Sequence, residues 1–239
     1  MNNSFKKPNV IVFDVNETLL DMTDVKKKVN NALGSKRGFK LWFTQLLQYS
    51  LVDTVTGSYH DFGAIASATL DMTALALETE LEEVDKKEIL TAMKTLPPYD
   101  DVKEGLQLLK DAGFRLVTLT NSAKDTLHQQ LKHAGLINYF ETTLSVDEFK
   151  LYKPHTAVYK KAAEQLGVSP TEALLVAAHG WDIAGAASAG LQAAFIERKG
   201  LSLYPLAPKP QYIGKDLVVM AHAIIDSNKE SNNAFEKQA

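Results

Sequence analysis

The chain has 239 residues, is 45% hydrophobic, and balances 26 basic against 29 acidic residues for a formal net charge of −3. That balance supplies no basic field for nucleic acid or an anionic membrane, and the lack of cysteine excludes disulfides, thiol nucleophiles and thiolate metal sites. No window approaches the roughly 20 apolar residues of a membrane helix, and Met1 to Pro8 lack the apolar stretch of a signal peptide, so a cytoplasmic location is expected.

The first element is the apolar run Val10-Ile11-Val12-Phe13, which ends at Asp14. A carboxylate at the C-terminal end of a buried strand lies in the crevice where open α/β sheets bind ligands. It either caps a turn or serves as a covalent nucleophile. Between residues 21 and 97 only helical periodicity follows, as in 41–55 (Leu41, Phe43, Leu46, Leu47, Leu51) and 62–77, before Pro97-Pro98 punctuates the chain. After that, helices over 101–112, 123–134, 156–166 and 183–189 alternate with apolar runs at 115–120, 142–146, 173–178 and 193–197. The rhythm predicts an α/β fold, a doubly wound parallel sheet. Residues 1–20 and 98–226 form its core, 21–97 an inserted helical cap, and 227–239 a polar, flexible tail.

Chemistry-bearing residues cluster at the predicted strand ends. Thr120-Asn121-Ser122 ends the second strand and opens a helix, where backbone N–H groups hold an anion or are merely capped. Lys153, ahead of Pro154, is restricted to extended backbone, and its ammonium would keep a nearby Asp14 ionised. Tyr159, one turn into the next helix, lines a site or packs. Asp182 either caps its helix or enters the site. Asn16, two residues after Asp14, cannot donate and reaccept a proton as a second aspartate would, which points away from phosphoryl transfer.

Phe13-Asp14 with Thr18-Leu19, Leu119-Thr120-Asn121-Ser122, Tyr152-Lys153-Pro154 with Tyr159, and His179-Gly180-Trp181-Asp182 occur in that order. Together they resemble the four motifs of the haloacid dehalogenase superfamily over nearly the whole chain. The Trp181-Asp182 pair, and the Leu41-Trp42 opening of the insert, most resemble its type II 2-haloacid dehalogenases. The resemblance implies that Asp14 displaces halide from an α-carbon and forms an aspartyl ester, which water hydrolyses. It implies catalytic support from Lys153, Asp182 and Thr18, though Thr18 could instead only brace the turn. Val15, Asn16, Thr120, Asn121, Tyr159 and Trp181 are expected to surround the substrate, with Trp42, Phe43, Leu47 and Phe62 as an apolar wall. The partner implied is a small halogenated carboxylic acid, with no metal or other cofactor and a homodimer through the cap.

Three departures stand out. Type II enzymes have an aromatic residue and a glycine where this chain has Asn16 and Glu17. They have a serine and an asparagine at Ala177 and His179, and an arginine at Phe43. A histidine oriented by a carboxylate is a common general base near neutral pH, so Glu17 and His179 are expected to form a dyad that activates the hydrolytic water. The plainer alternative is a surface glutamate and a histidine bonded to backbone. Two other functions stay open: a Mg²⁺-dependent phosphatase of the same superfamily, and a binding module that kept the fold without its chemistry.

Overall fold

The computed structural model describes residues 7–236. Among these, six parallel strands form one sheet in the order β3-β2-β1-β4-β5-β6. They are β1 (Val10–Phe13), β2 (Arg115–Thr120), β3 (Thr142–Ser145), β4 (Ala173–Ala177), β5 (Gln192–Ile196) and β6 (Tyr212–Gly214). β1 and β4 are buried along their whole length, as strands covered by helices on both faces must be. The short strand β6 was not expected. Its pattern is only partly buried, so it lacks the apolar run that marks the others.

Between β1 and β2 come α1 (Thr23–Ala32), α2 (Gly38–Thr56), α3 (Phe62–Ala76), α4 (Glu83–Ala92) and α5 (Val102–Asp111). α1 to α4 make the insert. Trp42 and Leu46 of α2 pack with Ile65, Ala66 and Leu70 of α3. The insert leaves and rejoins the sheet at one place: Leu20 bridges Pro98, and the Asp21 N–H donates to the Pro97 carbonyl at 2.8 Å. The remaining helices are α6 (Lys124–His133), α7 (Thr156–Gln165), α8 (Gly180–Ala189) and α9 (Leu217–Glu236). α9 corrects one expectation. It runs past Ser227, where polar composition suggested a tail, because no glycine or proline interrupts it and extending a formed helix costs little. Residues 237–239 of that expected tail lie outside the described residues.

Two features of this topology create the site. From β1 the chain places β2 on one side and β4 on the other, so β1 and β4 flank the switch point where open sheets form a ligand crevice. Their register, Phe13 opposite Val176, puts Asp14 beside the end of β4, with its N–H donating to the Val176 carbonyl at 3.0 Å. In addition, α8 approaches the loop after β3 so closely that a Cβ on Gly185 would lie 2.5 Å from the Pro154 side chain and 2.6 Å from the Tyr159 hydroxyl. Only glycine admits that approach.

Candidate active site

Asp14 is 5% exposed and its two carboxylate oxygens are bound differently. Oδ1 accepts from Lys153 Nζ at 2.9 Å; Oδ2 accepts from Thr18 Oγ1 at 2.6 Å and lies 3.2 Å from His179 Nδ1. Burial alone would raise this carboxyl, but Lys153, His179 and Thr18 outweigh it and hold it well below the usual carboxylate range. Thr18 both bonds to Asp14 and braces the turn, since its Oγ1 also accepts from the Ala178 N–H at 3.0 Å and ties the loop after β1 to the end of β4.

Lys153 is 1% exposed and spends all three donors: on Asp14, on the Leu119 carbonyl at 2.9 Å, and on Asp182 Oδ2 at 2.6 Å. Burial opposes its charge, but Asp14 and Asp182 more than restore it. Asp182 does not cap α8. Its second oxygen accepts from the Tyr159 hydroxyl at 2.5 Å. Burial raises the Asp182 carboxyl above its ordinary range, against the pull of Lys153. Tyr159, fully buried, is driven upward by burial and by the Asp182 charge, so it remains a donor. Its hydroxyl therefore holds Asp182, which in turn holds Lys153 beside Asp14.

His179 joins two carboxylates. Nδ1 faces Asp14 and Nε2 lies 3.1 Å from Glu17 Oε2. Burial would lower the imidazole, but hydrogen bonds to Asp14 and Glu17 push it up to about 9. The free protein thus carries imidazolium here near neutral pH. Glu17 sits at φ +57°, in the left-handed region, a conformation that costs an ordinary side chain about 1–2 kcal/mol. A strained non-glycine residue at a site points to a function for its side chain. Phe43 and Trp181 stack against the imidazole at 6.3 Å and 5.1 Å between centroids.

The other expected residues divide. Asn121 accepts from the Lys153 N–H at 3.0 Å through Oδ1, while its buried Nδ2 has no partner among the described residues. Such a donor awaits an acceptor. The Trp181 Nε1 is in the same condition. Thr120 Oγ1 accepts from the Ser122 N–H at 3.2 Å, leaving its hydroxyl proton for a ligand. Phe62 is the first residue of α3 and lines a 180 Å³ cavity with Ser122 and Ala123. Phe43 and Leu47 line a separate 670 Å³ cavity that reaches Glu17, His179 and Trp181.

Three placements correct the expectations. Trp42 is fully buried in the insert and donates to the Ala66 carbonyl at 3.0 Å, because its indole fills the α2–α3 interface. Asn16 spends its amide on Ser122 Oγ and Gln130 Nε2, both at 3.1 Å. Its side chain clamps three segments together. The Val15 side chain is wholly in the core and its carbonyl is taken by Leu19 and Leu20, so any role is left to its N–H.

Sequence reasoning passed over Arg198. Its guanidinium donates to the Thr18 carbonyl at 2.9 and 3.2 Å and to both oxygens of Asp101, and it lies 3.9 Å over the Tyr99 ring. It braces the turn that presents Thr18. Its position just past β5, at the same sheet edge as Asp14 and His179, was the available signal. Gln130, on α6, gave none.

Among the described residues, no group of three or more His, Asp or Glu side chains is arranged to hold a metal ion, and no helix is long and apolar enough to cross a membrane. A buried carboxylate at the β1 switch point, with lysine, aspartate and threonine around it, defines a hydrolase of the aspartate-nucleophile class. Residues 8–190 match the haloacid dehalogenase-like hydrolases, and the chain belongs to that family.

Its relatives include (S)-2-haloacid dehalogenase 1 of Pseudomonas sp. (strain CBS-3), 35% identical over 78% of this chain and 83% of that one. Haloacetate dehalogenase H-2 of Moraxella sp. (strain B) is 28% identical over 92% and 99%. The structure of L-2-haloacid dehalogenase from Xanthobacter autotrophicus with chloropropionic acid covalently bound superimposes with a TM-score of 0.82 at 26% identity, over 91% of this chain and 98% of that one.

Proposed function

We propose that the protein hydrolyses short 2-haloalkanoic acids, such as haloacetates and L-2-halopropionates, to 2-hydroxy acids and halide, without a metal. The observation that carries this reading is the buried Asp14 carboxylate, kept ionised by Lys153 and set against His179. One Asp14 oxygen attacks the α-carbon in line with the carbon–halogen bond, which breaks and releases halide with its electron pair. The product is an aspartyl ester, inverted at the α-carbon, and splitting one hard step into two is what covalent catalysis supplies. Asn121 Nδ2 and Thr120 Oγ1 are the donors available for the substrate carboxylate. The cation shared by Asp14 and Asp182 is the Lys153 ammonium, which stabilises the negative charge that develops on the Asp14 ester carbonyl oxygen in the second step.

The ester is hydrolysed by water, with His179 as general base and Glu17 as its orienting partner. In the free protein His179 holds its extra proton because two carboxylates face it. Esterification neutralises Asp14, and the imidazolium then releases that proton to solvent, accepts one from the attacking water and passes it to the departing alkoxide oxygen as the acyl C–O bond breaks. The water oxygen bonds to the ester carbonyl carbon, the 2-hydroxy acid leaves, and the Asp14 carboxylate is regenerated. The α1–α4 insert acts as a cap that excludes water during displacement. Exposed Leu51, Val52 and Val55 on α2 support a homodimer through this insert.

The test is halide release from a 2-haloacid panel in EDTA and again with Mg²⁺, beside a generic phosphatase assay. Halide release in EDTA that disappears in Asp14→Asn is expected. Phosphate release that requires Mg²⁺, with no halide released, would overturn the reading.

A further inference from the structure

The 670 Å³ cavity lined by Glu17 and His179 combines apolar walls with several lysines. Its floor is apolar, from Phe39, Phe43 and Leu47 on α2 and from Leu201 and Leu203 in the loop after β5. Three lysines stand around it: Lys26 from α1, Lys40 from α2 and Lys199 from that loop. All three are exposed, and among the described residues none forms an ion pair. Their neighbours on α1 differ, since Lys27 pairs with Asp24 and Lys28 with Glu88. The one acidic residue lining the cavity, Glu17, is engaged by His179. On a chain of net charge −3, this is a local concentration of uncompensated positive charge over apolar walls, leading to the catalytic pair. Lys40 shares the cavity face of α2 with Phe43, Thr44 and Leu47, three, four and seven residues on.

We propose that Lys26, Lys40 and Lys199 form a cationic vestibule that collects the anionic 2-haloalkanoate and delivers it past Phe43 to Asp14. The proposal rests on the dehalogenase reading. A cleft lined by one sign of charge over low-dielectric walls focuses field lines and raises the local concentration of a counter-ion. The vestibule touches no reacting atom. Its effect falls on KM and on kcat/KM, not on kcat, and it weakens as salt shortens the Debye length. It also supplies from three elements the positive charge that Phe43 does not carry on α2.

The experiment compares two triple variants that each remove three positive charges: Lys26→Gln with Lys40→Gln and Lys199→Gln, and, as control, Lys132→Gln with Lys160→Gln and Lys161→Gln, which are exposed elsewhere. Halide release from 2-chloropropionate is measured at low and high ionic strength. The vestibule variant is expected to keep kcat, to raise KM about tenfold at low salt, and to lose most of the salt dependence of kcat/KM, while the control tracks wild type. Equal KM values and equal salt slopes in the two variants would overturn the vestibule. Failure of the wild type to release halide would instead overturn the dehalogenase reading.

Discussion

Glu17 and His179, 162 residues apart in sequence, meet at 3.1 Å across the β1–β4 switch point, with the opposite ring nitrogen turned to Asp14. The imidazole is thus wedged between the nucleophile and a second carboxylate, and between two aromatic rings.

Removing the base should separate the two half-reactions. His179→Gln is expected to retain displacement of halide and to lose ester hydrolysis by about 10²–10⁴-fold, the usual worth of a general base. Glu17→Gln should show the same defect, more weakly. Rapid-quench halide measurements check this, because a single burst followed by slow turnover is the expected trace.

The pH dependence follows from the direction of the His179 shift. Its folded pKa is raised from 6.5 to about 9, so folding favours the protonated ring. The stability that this contributes is fully present below 6.5 and is lost as pH rises through 9. The thermal midpoint of wild type over His179→Gln should therefore shrink between those limits. Turnover depends on the ester form, in which Asp14 is neutral and Glu17 alone faces the ring, so its rise with pH should fall below the range in which stability is lost. The midpoint series from pH 6 to about 10, with turnover measured alongside, tests both signs.

Lys153→Met removes the cation that bridges Asp14 and Asp182, both buried. Breaking a buried pair by deleting one partner costs about 3–5 kcal/mol. The variant should lose halide release and unfold at lower temperature, and the temperature loss should ease at acid pH where the carboxylates protonate. Denaturation at neutral and acid pH reads this out.

Gly185→Ala adds one methyl group where Pro154 and the Tyr159 hydroxyl leave no space. Either α8 or the segment carrying Lys153 must move, and a shift of about 1 Å costs on the order of 10²-fold in rate. Gly167→Ala is the comparison: there a Cβ meets nothing within 4 Å, although its φ of +70° makes any side chain strained. Only the former should lower kcat well beyond its effect on stability.

Much of this was legible before the fold was seen, for a physical reason. Strand ends of a parallel sheet converge on one edge, so Asp14, Thr120 and His179 were bound to be neighbours once their strands were recognised. The Glu17–His179 contact was expected because the family resemblance implies that β1 and β4 are neighbours. What the chain concealed depends on side-chain direction within helices. Trp42 and Phe43 are adjacent, yet one fills the insert core and the other stacks on His179. The 3.6-residue period alone did not say which face met the sheet. Asn16 read as a substrate residue because of its distance from Asp14, whereas its amide is satisfied by Ser122 and Gln130. The second half of α9, from Ser227 on, was masked by polar composition, which describes solvent exposure rather than backbone conformation.

The most direct test of the two-step account is the intact mass of His179→Gln after reaction with L-2-chloropropionate, followed by peptide mapping. The account predicts a stoichiometric gain of one propionate unit as an ester on Asp14, released slowly on standing. An adduct on another residue, or wild-type rates of halide release with no adduct at any time, would contradict it.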